Sequence, residues 1–340
     1  MAEPWFELSR ADQQEVLEVA AAESGRPAHL LEKDIWVVWA LSVIYGSPLA
    51  SSLTFKGGTS LSKVYRIIDR FSEDIDLTYD IRSLVQDLLR DDNPIPESKS
   101  HEKKITSAVR ERLPAWIKSE VQPIFETVIN QCSLEVQLAI TGNNQDKLIL
   151  TYPALKKGTG YVASAVQLEF GARATGEPHQ VHNIESDVAP WIKEVAFPIA
   201  QPLVMAAERT FWEKATAAHV YCLQQKMRGE RYSRHWFDLV ALANSDYYKT
   251  AIVDAELAAQ VADHKAMFFS EKDMSGNKID YHKAVSGALQ LVPEKEAYQA
   301  LLQDYVAMRE DGLLHLDALE FDALIEKCSK IEHEVNHQLK

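Results

Sequence analysis

The apolar positions of the first fifty residues fall into two helical patterns. Ser9 reads as an N-cap with Asp12 in the first turn, Val16, Leu17, Val19 and Ala20 follow at helical spacing, and Gly25 is a stop. A second helix is predicted from about Ala28 to Tyr45. Its residues Ile35, Trp36, Val37, Val38, Trp39 and Leu41 make it apolar nearly all round, which marks it as a core element. Leu53-Thr-Phe55 reads as a short strand entering Lys56-Gly-Gly-Thr-Ser60, after which Leu61, Val64, Tyr65 and Ile68 recur at helical spacing. The period then changes to two: Ile75, Leu77 and Tyr79 alternate with Asp76, Thr78 and Asp80, the signature of a half-buried strand.

Residues 81–130 read as mostly helical around a proline-containing loop, Asp92-Asn-Pro-Ile-Pro96. Leu134–Ile140, Leu148–Tyr152 and Val162–Phe170 alternate like strands joined at Thr141-Gly-Asn-Asn and Lys157-Gly-Thr-Gly, which predicts a largely antiparallel extension of the sheet. After Pro202 the pattern is helical nearly to the end, with long segments around 206–226, 234–245, 254–268 and 296–308. The expected fold is therefore α/β, a mixed sheet flanked by helices in residues 1–205 followed by a helical C-terminal domain in 206–340.

Composition narrows the class without naming it. With 340 residues, 46% hydrophobic and 25% charged, and only 13 Gly and 13 Pro, the chain is globular and long enough for a large core. Its net charge of −14 is uneven: residues 1–50 carry −5 and residues 251–340 carry −8, which leaves the middle nearly neutral. Such a balance excludes a simple polyanion-coating role and still permits local basic patches. Cys132, Cys222 and Cys328 are too few and too far apart for a disulfide framework or a four-ligand zinc site, so they read as reduced thiols. The first residues lack a basic leader region, and the apolar run Ile35–Tyr45 is shorter than the ~20 residues of a membrane span; a cytoplasmic protein is expected.

Candidate chemistry concentrates in a glycine turn followed by a D-x-D strand. Gly57 and Gly58 allow backbone N–H groups to approach phosphate at a helix N-terminus, Thr59 or Ser60 can add a hydroxyl, and Lys56 precedes them. Asp74 and Asp76, two apart on a strand, point to one face, where two carboxylates can share a divalent metal. A two-metal phosphoryl-transfer site calls for a third carboxylate. Glu169 in Val166-Gln-Leu-Glu-Phe170 is the first choice; Glu135 in Leu134-Glu-Val136 has the same flanking pattern, and sheet order must choose between them. Farther on, Arg209 and Glu213 are spaced to pair on a helix, and Lys214 is a candidate point cation for a triphosphate. Arg228, Arg231, Arg234 and His235 form a basic stretch leading to Asp238. His179 and His182 read as a polar turn, and Met205, Phe211 and Trp212 as core. No P-loop, H-E-x-x-H or G-x-S-x-G motif is present.

In order, Lys56–Leu61, Arg70–Asp76, Arg209–Lys214 and Arg234–Leu239 resemble the K-G-G-T-x-L, R-x-S-x-D-h-D, R-T-x-x-E-K and R-x-x-x-D-L motifs of the AbiEii nucleotidyltransferase toxins. That family is the toxin half of type IV toxin–antitoxin and phage-defence modules and is related to the MenT toxins. The resemblance spans roughly residues 50–240. It implies a nucleotidyltransferase-type sheet and a magnesium-dependent transferase that moves an NMP from an NTP to an acceptor hydroxyl, with the tRNA 3′ end as the expected acceptor and an AbiEi-like antitoxin as partner. On that reading Asp74, Asp76 and Glu169 hold Mg2+, the Gly57–Ser60 turn and Lys214 clasp the β- and γ-phosphates, Asp238 orients Lys214 or the acceptor, and Arg228, Arg231 and Arg234 meet RNA. Nucleotidylation of a protein or small molecule, or a non-catalytic binding role, are the alternatives.

Overall fold

The structure, a computed structural model, describes residues 2–70, 72, 74–90, 93–156, 163–225, 232–310, 313–314 and 318–338. The chain divides into two compact units. The first comprises Met1–Val64, Glu73–Asp92 and Ser107–Val204; the second comprises Tyr65–Ser72, Asn93–Thr106 and Met205–Lys340.

The first unit is built on a mixed sheet, seven-stranded among the described residues. Its strands are β1 (Leu53–Lys56), β2 (Asp74–Tyr79), β3 (Gln137–Thr141), β4 (Lys147–Thr151), β5 (Ala165–Gly171), β6 (His179–Val181) and β7 (Leu203–Met205). The spatial order is β3-β4-β5-β2-β1-β7-β6. The pairs β3–β4, β4–β5 and β1–β2 are antiparallel, while β2–β5 and β1–β7 are parallel. The helices of this unit are α1 (Arg10–Ser24), α2 (Ala28–Tyr45), α3 (Gly57–Lys63), α4 (Ile81–Val85), α5 (Lys99–Trp116) and α6 (Gln122–Gln131), the first eight residues of α5 belonging to the second unit. One sheet face is apolar: Ile75, Leu77, Leu148, Leu150, Val166, Leu168 and Phe170 are buried, and Trp116 stacks on Tyr79 with ring centroids 4.0 Å apart. The alternation then leaves Asp74, Asp76, Gln167, Glu169 and Lys147 on the opposite face.

Helix α1 starts at Ser9, whose hydroxyl accepts from the Asp12 N–H, and stops at Gly25 in the left-handed region. Helix α2 spans Ala28–Tyr45 and is buried almost throughout, including three charged residues that its apolar pattern obscures. Each of the three is satisfied, as burial requires, Glu32 and Lys33 by the β4–β5 connection and Asp34 by the 186–187 segment and α3. Glu32 accepts from the N–H groups of Leu155 and Lys156, Lys33 donates to the Ala163 carbonyl, and Asp34 accepts from Ser186, the Asp187 N–H and Lys63. Because Lys63 is the last residue of α3 and also pairs with Asp187 at 2.8 Å, this network fixes the helix that begins at Gly57.

Three sequence expectations are corrected. The helix after the glycine turn ends at Lys63 and does not continue to Ile68, because Arg66 has φ 51°, outside the helical region. The strand expected from Leu134 starts at Gln137, after a turn in which Ser133 has φ 51°. After Pro202 the chain first adds Leu203–Met205 to the sheet beside β1 and only then turns helical; three residues are too few to display a period. The Lys157-Gly-Thr-Gly connection lies outside the described residues.

Helices α7 (Ala207–Gln224), α8 (Arg234–Ala243), α9 (Asp246–Val253), α10 (Ala255–Phe268), α11 (Tyr281–Ala284), α12 (Lys295–Glu310) and α13 (Phe321–Gln338) make up most of the second unit. Phe211, Trp212, Trp236, Leu239, Leu324 and Cys328 are in its core, as is Met205. The indole N–H groups are paired: Trp212 donates to the Ala251 carbonyl at 2.9 Å and Trp236 to that of Leu291 at 2.6 Å.

Candidate functional site

The polar sheet face carries a row of charge across four neighbouring strands. Lys56 on β1 is the register partner of Asp76 on β2, Asp76 that of Glu169 on β5, and Glu169 that of Lys147 on β4. Partners directly across a sheet share a face, so the row reads plus, minus, minus, plus. Asp74 precedes Asp76 by one pleat on the same face and accepts from the Gln167 amide at 3.4 Å. At the far end, Lys147 pairs with Glu169 at 2.8 Å, with the two side chains 29% and 45% exposed. Burial alone would lower the Lys147 pKa, but the hydrogen bond and charge of Glu169, joined by Asp74 and Asp146, hold its ammonium above the ordinary value.

The glycine turn meets this row at Asp76. Gly57 has φ 82°, and a Cβ added to it would stand 2.1 Å from Oδ2 of Asp76. Both the left-handed backbone and the close carboxylate require glycine there. Gly57 is also the first residue of α3, whose N-cap residue Lys56 makes no side-chain capping bond, and the Asp76 carboxylate beside it lies where the helix dipole favours negative charge. The Thr59 hydroxyl donates to the Asp74 carbonyl, and the Ser60 hydroxyl donates to the Gly57 carbonyl at 2.9 Å. Both side chains are buried; the Thr59 proton locks α3 to β2, and the Ser60 proton closes the first turn of α3 on itself.

Sheet order separates the two glutamates. Glu169 is in register with Asp76 on the adjacent strand; Glu135 is exposed, lies before β3, and β3 is separated from β2 by β4 and β5. In donor chemistry Asp74, Asp76 and Glu169 suit a hard divalent cation, since all their ligating atoms are carboxylate oxygens on one face. Among the described residues, however, no group of three or more His, Cys, Asp and Glu side chains closes around a common point. The Glu169 carboxylate is paired with Lys147.

A second cluster lies within the helical unit, centred on Asp238 of α8, which has no exposed surface. Arg70 grips it with both ends of its fork, Nε to Oδ1 at 2.7 Å and one terminal nitrogen to Oδ2 at 2.8 Å, while the Lys214 ammonium of α7 lies 2.8 Å from Oδ2. Burial would raise the Asp238 pKa, but the two cations outweigh it and keep the carboxylate well below its usual range. Burial lowers the Lys214 pKa, Arg70 and Arg234 add to that, and Asp238 opposes it. His235 is held neutral by burial and by Lys214 and Arg234, and its Nδ1 is buried without a hydrogen-bond partner among the described residues. Two cations, Arg70 and Lys214, thus hold one carboxylate, leaving net positive charge suited to an anion.

On α7, Arg209 pairs with Glu213 at 3.2 Å, one helical turn apart. Arg234 opens α8; Arg228 and Arg231 lie outside the described residues. His179 sits on strand β6 with Nδ1 3.0 Å from the Thr54 hydroxyl. Sequence reading gave no role to Lys147, Gln167 or Arg70. Arg70 had a signal, since it opens the R-x-S-x-D-h-D motif, whereas Lys147 and Gln167 become visible only through strand register.

Residues 39–327 match the profile of a family described as nucleotidyl transferase AbiEii toxin, type IV toxin–antitoxin system. Among solved structures, MenT4, a nucleotidyltransferase toxin from Mycobacterium tuberculosis, superposes with a TM-score of 0.50 at 15% identity, over 98% of this chain and 91% of that one. At that identity the likeness is one of fold. No curated protein matches the chain.

Proposed function

Since this chain belongs to the AbiEii family of nucleotidyltransferase toxins of type IV toxin–antitoxin systems, we propose that it moves an NMP from an NTP to the 3′ hydroxyl of tRNA and releases pyrophosphate. In that reaction the acceptor hydroxyl gives up its proton to solvent, its oxygen bonds to the α-phosphorus, the α–β bridging P–O bond breaks, and that bond's electron pair leaves with pyrophosphate. The observation that supports this reading best is the register of Asp76 with Glu169 on adjacent parallel strands, with Asp74 on the same face. A Mg2+ ion bound there would reduce the charge on the α-phosphate and make the acceptor hydroxyl more acidic.

The protein's own groups divide the remaining work. Asp74, Asp76 and Glu169 supply the oxygens, and the Gly57–Ser60 turn keeps Asp76 in place while its first N–H groups face the phosphates. Lys214, paired with Asp238 at 2.8 Å, is assigned to the β- and γ-phosphates as a point cation. Asp238 is a positioning residue, because Arg70 and Lys214 take up both its oxygens. Arg228, Arg231 and Arg234 are assigned to RNA phosphates, which offset the net charge of −14 locally. A type IV family implies a cognate antitoxin, for which an AbiEi-like protein is the proposal. Among the described residues no helix is long and apolar enough to cross a membrane, and action in the cytoplasm, as in phage defence, follows from the same reading.

The test is incubation with each labelled NTP, Mg2+ and either total RNA or lysate, followed by gel separation, alongside induction in a bacterial host. Label in the tRNA band and growth arrest are expected, with both absent in Asp76→Ala. Label in protein with RNA untouched would replace the acceptor, and no label with no toxicity would overturn the transferase reading.

A further inference from the structure

The acidic face presents a problem of charge when no metal is bound. Asp76 and Glu169 are directly opposite on neighbouring strands, and like charges in that relation destabilise a sheet. Asp74 adds a third carboxylate one pleat away on the same face. Lys56 stands opposite Asp76 at one end of the row, and the group that balances Glu169 is Lys147: its backbone is in register with Glu169, its ammonium lies 2.8 Å from Glu169 Oε2, and Asp74 and Asp146 act on it electrostatically. Gln167 contributes at the other row, where its amide reaches Asp74. The chain thus carries its own cation on a carboxylate that a divalent ion would use.

We propose that Lys147 is a resident counter-cation of the site, holding the Glu169 carboxylate until a divalent metal takes it, so that metal and ammonium are alternatives at one carboxylate. This rests on the metal-binding role given above to Asp74, Asp76 and Glu169. It accounts together for two facts: the three carboxylates share a face across two adjacent strands, yet no three of them converge. When the metal arrives, the ammonium is released beside the row, where Asp146 still acts on it. Lys147 is a positioning residue in this scheme, acting through Glu169. An ordinary cross-strand pair at this exposure would add a little stability and leave metal binding untouched.

The experiment measures Mn2+ binding to the full chain without nucleotide, from loss of the free-ion electron paramagnetic resonance signal, with melting temperature as a check on folding. Lys147→Met keeps the aliphatic stem and removes the charge. It is expected to bind Mn2+ about three- to fivefold more tightly than wild type, the range set by losing one half-exposed ion pair. Lys147→Arg should stay near wild type. In a Glu169→Gln background the effect of Lys147→Met should vanish, a coupling that a merely structural lysine would not produce. If Asp76→Asn weakens Mn2+ binding but Lys147→Met equals wild type, the counter-cation role is overturned while the metal site stands. If Asp76→Asn and wild type bind alike, both fall together.

Discussion

Gly57 and Asp76 are fitted to one another: a Cβ at position 57 would stand 2.1 Å from Oδ2 of Asp76, on a backbone with φ 82°. The glycine turn and the D-x-D strand are therefore one device, in which the absence of a side chain in the turn sets where a carboxylate can lie. Gly57→Ala should force Asp76 aside and add the strain of a left-handed alanine, about 1 kcal/mol or more. Gly25→Ala is the control, since Gly25 has φ 70° and nothing within 4 Å of its Cβ position. Both variants should lose stability in denaturant titrations, Gly57→Ala the more, and only Gly57→Ala should lose nucleotidyl transfer, by tenfold or more. Equal activity in the two would separate the turn from the reaction.

Glu169→Gln should abolish transfer while Glu135→Gln retains it. Only Glu169 shares a register position with Asp76, and Glu135 is exposed and outside the strands. Turnover at saturating NTP and Mg2+ reads the difference. The reverse result would mean that the third carboxylate is not chosen by register.

The Asp238 cluster separates folding from chemistry. Asp238→Asn leaves Arg70 and Lys214 buried without their carboxylate, and breaking a buried pair in this way costs roughly 3–5 kcal/mol, so the melting temperature should fall together with activity. Lys214→Met is gentler because Asp238 keeps its two-point grip on Arg70. That variant should stay folded and need a higher NTP concentration for half-maximal rate. An unchanged concentration dependence would make Lys214 a purely structural partner of Asp238.

Stability should fall between neutral and mildly acidic pH. Burial pushes the His219 pKa down to about 4, and its Nδ1 accepts the Gln290 N–H at 3.0 Å. Below pH 6.5 the unfolded chain takes up a proton that the folded chain refuses until about pH 4, so stability is full above the unfolded value and declines as pH falls through this window. The loss from this group is roughly 3 kcal/mol across that range. Neutral, buried His235 acts in the same direction. Urea titrations at pH 7.5 and about 4.5 check it; in His219→Asn, whose amide oxygen can replace the Nδ1 acceptor, the decline should be smaller.

What the sequence determined was local. Ser9 and Gly25 bound α1 because capping depends on neighbouring N–H and C=O groups, and the alternation of Ile75, Leu77 and Tyr79 fixed both a strand and the shared face of Asp74 and Asp76. The motif words around Lys56, Arg70, Arg209 and Arg234 carried the family, because they mark residues whose chemistry restricts what can replace them. The tertiary structure decided which distant residues meet. Arg70 and Asp238 are 168 positions apart, and nothing in either segment specifies their bidentate pair. That Glu169 and not Glu135 lies in register with Asp76, with Lys147 beside it, depended on strand order and register. A strand's own pattern tells which face a residue takes but not which strand lies alongside, because pairing is set by the burial of the whole sheet. The three-residue strand Leu203–Met205 was hidden for a related reason: it is held by the hydrogen bonds and core contacts of its neighbour β1, and three residues carry no period of their own.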